Sequence, residues 1–223
     1  VASLLVALFT CLETLSGPER RHFATDRWMG SPWAAALAVT AAALSIWVAR
    51  FLFEGLPHLP DSVSYLLQSR WLLDGNLWGT VSAFQDYLDV PYTYVVGDRW
   101  LSHYPPGWPL LLSIGLAVGA PWLITPTIGA LYVVLLYLVG RELDGPVTGV
   151  LAAILGVLSP LARLIFGSLL SHAASATHIL AAVWLLLLTR RRGDWRLAAL
   201  GGVAVGLAFG IRPLTTAAAA IPL

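Results

Sequence analysis

The sequence predicts an all-α fold: a polytopic bundle of transmembrane helices with a long outer loop that carries a surface amphipathic helix. Three observations predict it. Apolar residues make up 58% of the chain and charged residues 11%, against about 25% charged in a soluble domain. The stretches 33–49, 122–140 and 179–188 hold no charge at all. About 20 mostly apolar residues cross the hydrocarbon core as a helix, which also satisfies their backbone N–H and C=O groups internally. Several of the ten Trp residues (Trp28, Trp33, Trp47, Trp71, Trp78, Trp100, Trp108) fall near span ends or in the loop, where an interfacial belt places them.

The elements follow in order. Residues 1–15 read as the tail of a span and lack the basic leader of a signal peptide. The chain begins and stops inside apolar runs, so 1–223 is expected to be a single membrane-embedded domain from a longer protein. A polar connector, 16–32, carries Arg20, Arg21, His22 and Arg27. A span over 33–53 follows, and Arg50 can snorkel from its end.

The polar loop 54–105 gathers Asp61, Arg70, Asp74, Asp86, Asp89, Asp98, Arg99 and His103. Within it, Val63, Leu66, Leu67 and Leu73 recur at helical spacing over 61–73, which predicts an amphipathic helix on the membrane surface. Gly75-Asn76 is expected to end it. The aromatic and β-branched stretch 86–100, with Gly97-Asp98 inside it, predicts a short extended excursion. Apolar segments then run over 106–120, 122–140, 146–166, 171–189 and 197–211, with another from about 213. Pro121, Pro126, Pro146 and Pro160 mark ends or kinks.

Charge sets orientation. The connector 16–32 and the cluster Arg190-Arg191-Arg192 with Arg196 are the basic patches, and the positive-inside rule assigns both to the cytoplasm. The loop then faces outward. Four apolar segments separate the loop from the arginine cluster, where an odd number of crossings is required. The segment 106–120 is short and bracketed by Pro106, Pro109 and Pro121, so it is expected to be partial or re-entrant.

Composition excludes other classes. A net charge of +1 leaves no nucleic-acid footprint. Cys11 is the single cysteine, so no intrachain disulfide forms and no thiol metal site is expected. No ligand cluster argues for a metal or another cofactor.

Candidate chemistry concentrates at four places. Asp61 follows Pro60 at the start of the loop helix. It is either an N-cap or a general base at the bilayer surface, able to take the proton of an attacking hydroxyl. His103-Tyr104-Pro105-Pro106-Gly107-Trp108-Pro109 is a rigid entry to a helix, with His103 a candidate for an anionic head group. Ser171-His172 opens a span; a His there is costly enough to carry a purpose, the alternative being a simple cap by Ser171. His178 lies six residues on, off the face of His172, so the two are not expected to form a metal pair. Arg212-Pro213 closes the run 197–211, and Arg212 is either an interface anchor or a fork that grips a phosphate.

Four stretches resemble the membrane-embedded glycosyltransferases of the GT-C superfamily, in particular the protein-mannosyltransferase-like group (glycosyltransferase family 39 and bacterial relatives). They are Leu59-Pro60-Asp61 with Tyr65 and Gly75; Gly97-Asp98-Arg99-Trp100-Leu101-Ser102 running on into the His103–Leu110 stretch; Gly140-Arg141-Glu142-Leu143; and Ser171-His172 with Arg212-Pro213-Leu214-Thr215. The resemblance implies a polyisoprenyl-phosphate-linked sugar as donor and transfer to a hydroxyl of a protein, glycan or lipid on the non-cytoplasmic face. The setting it implies is a multi-pass protein of a bacterial plasma membrane.

In that family an Asp in the first outer loop is catalytic, and Asp61 matches it. The resemblance leaves the donor phosphate or substrate to His103, Tyr104, His172 and Arg212. The chain departs from relatives at Ser62, where an acidic residue follows the catalytic Asp, and at Tyr104, where some carry a phosphate-binding Lys. It departs again at Ile124-Thr125-Pro126-Thr127, where many carry Arg, and at His172, which replaces an acidic residue. Two rivals are a transporter or flippase for a lipid-linked or anionic solute, with ionisable residues near mid-span, and a non-catalytic scaffold in which Asp61 only caps.

Overall fold

The computed structural model describes residues 31–81 and 90–221. The apolar run 1–15 with Cys11, residues 16–30 of the connector with Trp28, and Asp86 and Asp89 lie outside them.

Helices dominate. Helix α1, Ser31–Trp47, runs on through a π turn at Val48–Leu52. Helix α2, Pro60–Leu73, follows. Three short antiparallel strands come next: β1 Gly79–Thr80, β2 Thr93–Val96 and β3 Arg99–Ser102, in the order β1-β3-β2. Gly97, at φ +63°, opens the two-residue β2–β3 turn, a position where glycine meets no steric cost. This sheet is the expected extended excursion in an otherwise helical protein.

The remaining helices are α3 Gly107–Ala117, α4 Ile124–Asp144, α5 Pro146–Leu158, α6 Pro160–Gly167, α7 His172–Arg192, α8 Trp195–Ile211 and α9 Pro213–Ala220. Pro60, Pro146, Pro160 and Pro213 each stand at a helix start, where the missing N–H has no intrahelical partner to lose. Pro126 sits in the first turn of α4 for the same reason and leaves it whole. The expected span 146–166 is broken instead: α5 and α6 meet at a 65° bend, and Ser159 Oγ accepts from Ala162 N to restart the helix.

Three helices are long and apolar enough to cross a membrane, Pro32–Leu52, Pro121–Asp144 and His172–Arg192, with the bent α5–α6 pair a fourth candidate. Two buried clusters hold them together. Ala34 and Ala41 of α1 pack with Val133 and Tyr137 of α4 and Val150, Ala153 and Val157 of α5. Helices α4 and α5 approach at glycines, since a Cβ on Gly140 would stand 2.8 Å from Gly149 Cα. The second cluster joins Tyr65, Trp108, Leu112, Ala174 and Ile211 from α2, α3, α7 and α8 with Leu169 from the turn before α7.

Helices α4 and α7 run side by side in the same direction. Both begin beside the second cluster, and both end where Arg191 Nη1 reaches Glu142 Oε2 at 2.9 Å. Twenty-one residues of helix cover about 31 Å, so the polar loop and the arginine cluster occupy opposite ends of the bundle. Helix α3 does not connect those ends. It has 11 residues, about 16 Å against a core of about 30 Å. Its start abuts Gly210 at the end of α8, and its Gly115 abuts Pro121 and Ile124 at the start of α4. Both of its termini therefore lie at the loop end. Between the loop and the arginines, α4, the α5–α6 pair and α7 are the elements that run from one end of the bundle to the other.

Helix α2 forms over the expected residues, and it packs on the protein through its serine-rich face. Ser62, Ser64, Tyr65, Gln68, Ser69 and Trp71 are the buried residues, while Leu73 is exposed and Val63, Leu66 and Leu67 are half-buried. The reason lies in what it packs against. Ser64 Oγ is 3.1 Å from Ser102 Oγ, and Gln68 Nε2 donates to the Tyr104 carbonyl at 3.3 Å. Small polar side chains fit this surface of hydroxyls and carbonyls better than leucines do.

Candidate functional site

Asp61 stands in the first turn of α2, one residue after Pro60. The helix is capped at Leu59, with no side-chain cap bond. The capping role is thus overturned: proline at the first position shifts Asp61 one place too far into the helix to cap it. Its carboxylate instead accepts a hydrogen bond from the Tyr104 hydroxyl, while its place in the first turn still favours a negative charge.

Tyr104 is brought to Asp61 by the rigid stretch after β3. Its N–H donates to Ser102 Oγ at 3.2 Å, and its ring centroid lies 4.5 Å from that of Tyr65 and 5.5 Å from that of Tyr92. Two anchors fix the stretch. Trp108 is wholly buried, and its Nε1 donates to the Leu169 carbonyl at 2.9 Å. Gly107 has no room for a side chain, because a Cβ there would meet the Gly210 carbonyl oxygen at 2.5 Å. The first anchor ties Tyr104 to the turn before Ser171, and the second ties it to the segment before Arg212.

Ser171 is the N-cap of α7 by position but makes no side-chain cap bond. Its hydroxyl lies 3.0 Å from Tyr65 OH and accepts from Arg212 Nη1 at 3.2 Å. The simple-cap alternative therefore fails: the side chain is engaged elsewhere. Arg212 also donates from Nε to Thr215 Oγ1 at 3.3 Å. His172 is exposed and lies within electrostatic reach of both Arg212 and Asp61. His178 bonds the Ala174 carbonyl through Nδ1 at 2.7 Å.

Four of the five residues singled out from sequence thus converge: Asp61, Tyr104, His172 and Arg212. His103 stands at the rim. It is exposed, its ring meets Tyr104 edge-on at 5.8 Å, and its backbone N–H donates to the Tyr92 carbonyl at 2.9 Å. Among the described residues, no three His, Cys, Asp or Glu side chains come together as a metal site.

Tyr65 is the residue whose role sequence reasoning missed. Its position four after Asp61 was the available signal, since such residues share a helix face. Burial pushes its hydroxyl above the usual phenol range, and the Asp61 charge adds to this, while the Ser171 bond and Arg212 pull the other way. Tyr65 is a neutral hydroxyl at physiological pH.

The electrostatic arrangement places a carboxylate and a guanidinium in one site, each within reach of both Tyr65 and His172. Asp61 and Arg212 form no ion pair among the described residues. Each is bonded to a hydroxyl instead, Asp61 to Tyr104 and Arg212 to Ser171. No family model, curated protein or solved structure matches the chain.

Proposed function

We propose that this protein is an integral-membrane glycosyltransferase that moves a sugar from a polyisoprenyl-phosphate donor to a hydroxyl acceptor. One observation carries the reading: Asp61 and Arg212 share a site without forming an ion pair. A transfer of this kind asks for both charges at once. The acceptor hydroxyl must lose a proton, and Asp61 is the base that takes it. The acceptor oxygen then bonds to the anomeric carbon as the bond from that carbon to the phosphate oxygen breaks. The departing lipid phosphate gathers negative charge, which Arg212 stabilises. Tyr104 orients the Asp61 carboxylate, and His172 and His103 border the site as further contacts for substrate.

The membrane setting supports the same reading. Arg141, Arg190, Arg191, Arg192 and Arg196 lie at the end of the bundle away from Asp61. The positive-inside rule assigns that end to the cytoplasm and the site to the outer face, where lipid-linked sugars replace nucleotide sugars as donors. The transporter reading draws less support. In α4 and α7 the Asp, Glu, Arg and His residues lie at the helix ends except His178, and that ring is bonded to a backbone carbonyl.

The test is transfer from radiolabelled polyprenyl-phosphate sugars by the full-length protein in membranes, wild type against Asp61→Asn. Asn preserves size and can still accept the Tyr104 bond, but it cannot act as a base. Loss of transfer with normal expression supports the reading. Equal transfer by both removes Asp61 as the base, and no transfer from any donor refutes the enzyme.

A further inference from the structure

Arg212 is held in place without being neutralised. Its Nη1 and Nε donate to the hydroxyls of Ser171 and Thr215, at 3.2 and 3.3 Å. Nη2 has no partner among the described residues. Ser171 is 1% exposed, and its remaining contact is the hydroxyl of Tyr65, 3% exposed, at 3.0 Å. Tyr65 cannot swing away, because its ring is part of the second buried cluster and lies against Tyr104. The two stacked tyrosines thus serve different charges, Tyr104 bonding Asp61 and Tyr65 reaching Arg212 through Ser171.

We infer that Tyr65 and Ser171 are positioning residues, a buried hydroxyl bridge that aims Arg212 at an anionic phosphate and holds it off Asp61. The chemistry of the bridge carries this. A carboxylate in the place of Ser171 would pair with Arg212 and compete with an incoming anion. A neutral hydroxyl fixes the direction of the fork and leaves its charge available. Burial keeps the Tyr65 phenol protonated, so the bridge stays neutral. Neither end is free to pivot, so the fork is set before the ligand arrives, which lowers the ordering cost of binding. The inference rests on the glycosyltransferase reading only for the identity of the phosphate, as the head of a lipid-linked sugar.

The experiment measures binding of a sugar-free polyprenyl monophosphate, and of the uncharged polyprenol, to the full-length protein in nanodiscs. Arg212→Gln is expected to abolish the preference for the monophosphate. Ser171→Ala and Tyr65→Phe are each expected to weaken monophosphate binding about 3- to 10-fold, the worth of one hydrogen bond, with polyprenol binding unchanged. The double variant is expected to bind no more weakly than Ser171→Ala alone, because Tyr65 acts through Ser171. Additive losses, or equal losses for polyprenol, overturn the bridge in favour of a packing role. Unchanged binding in Ser171→Ala overturns it outright. Wild type that ignores the phosphate removes both the bridge and the donor assigned above. Wild type that binds the phosphate but transfers no sugar leaves the bridge standing and refutes the enzyme alone.

Discussion

Tyr104 donates its phenolic hydrogen to the carboxylate of Asp61, across 43 residues of sequence. The bond fixes the direction of the base without consuming its charge. Tyr104→Phe keeps the ring contacts with Tyr65 and Tyr92 and removes only this bond. It is expected to lower kcat for sugar transfer about 10- to 100-fold, the range for a hydrogen bond to a charged group, with the donor KM within about twofold. A rise in KM at constant kcat would instead make Tyr104 a donor-binding residue, the role the family resemblance implies for it.

The same geometry separates catalysis from stability at Asp61. A capping carboxylate contributes about 0.5–2 kcal/mol, but α2 is capped at Leu59 and Asp61 caps nothing. Asp61→Asn is therefore expected to melt within about 2 °C of wild type, since 1 kcal/mol corresponds to about 2–4 °C at this size. Thermal unfolding in detergent, followed by circular dichroism, checks it. A drop of 5 °C or more would return Asp61 to a structural role.

What was legible in the sequence was whatever rests on local pattern. Charge-free runs marked α1, α4 and α7; Pro146 and Pro160 marked the boundaries at which α5 and α6 begin; Gly97-Asp98 fell within the stretch expected to be extended. The convergence of Asp61, Tyr104, His172 and Arg212 was legible only through resemblance, because it depends on packing between distant segments. Trp108 bonding the Leu169 carbonyl and Gly107 seated against Gly210 have no local signature. The protein-facing side of α2 was not readable for the same reason: periodicity reports which residues share a face, and the partner decides whether that face wants leucine or serine. Tyr92, at φ +61°, is equally unreadable, since nothing in a tyrosine announces a left-handed backbone.

Gly107 offers a packing test with a built-in control. A Cβ there would lie 2.5 Å from the Gly210 carbonyl oxygen, whereas a Cβ at Gly206, inside α8, meets nothing within 4 Å. Gly107→Ala is expected to destabilise by about 1–3 kcal/mol, as overpacking does. It should also impair transfer, because the shift moves Tyr104 relative to Arg212. Gly206→Ala is expected to stabilise by about 0.5–1 kcal/mol through helix propensity. Equal melting temperatures for the two variants would contradict the close approach of α3 and α8.

Tyr65 predicts an alkaline signature. Its hydroxyl titrates above the ordinary value of 10.0, first because of burial. A group raised in the folded state favours folding below its unfolded pKa and loses that contribution as pH rises through the folded value. Stability is therefore expected to fall above about pH 10, and Tyr65→Phe to soften that fall, at a cost near neutrality of about 0.5–1.5 kcal/mol for the lost bond to Ser171. Melting curves between pH 8 and 11.5 (a range chosen to bracket about 10) check it. A parallel fall in both proteins would assign the loss to other groups.

Helix α3 decides the topology. Its two ends abut the end of α8 and the start of α4, so Asp98 before it and Val118 after it lie at the same end of the bundle. Trp195, 73% exposed beside the arginine cluster, belongs to the other. Single cysteines at Asp98, Val118 and Trp195, in a background with Cys11→Ser, are expected to divide accordingly when intact cells are treated with a membrane-impermeant maleimide. The first two should react from outside and the third only after permeabilisation. Were position 118 to react with 195 rather than with 98, α3 would be a crossing. Loop and arginines would then be separated by four crossings and share one face, and Asp61 would have to work on the cytoplasmic side, where a lipid-linked donor has no advantage over a nucleotide sugar.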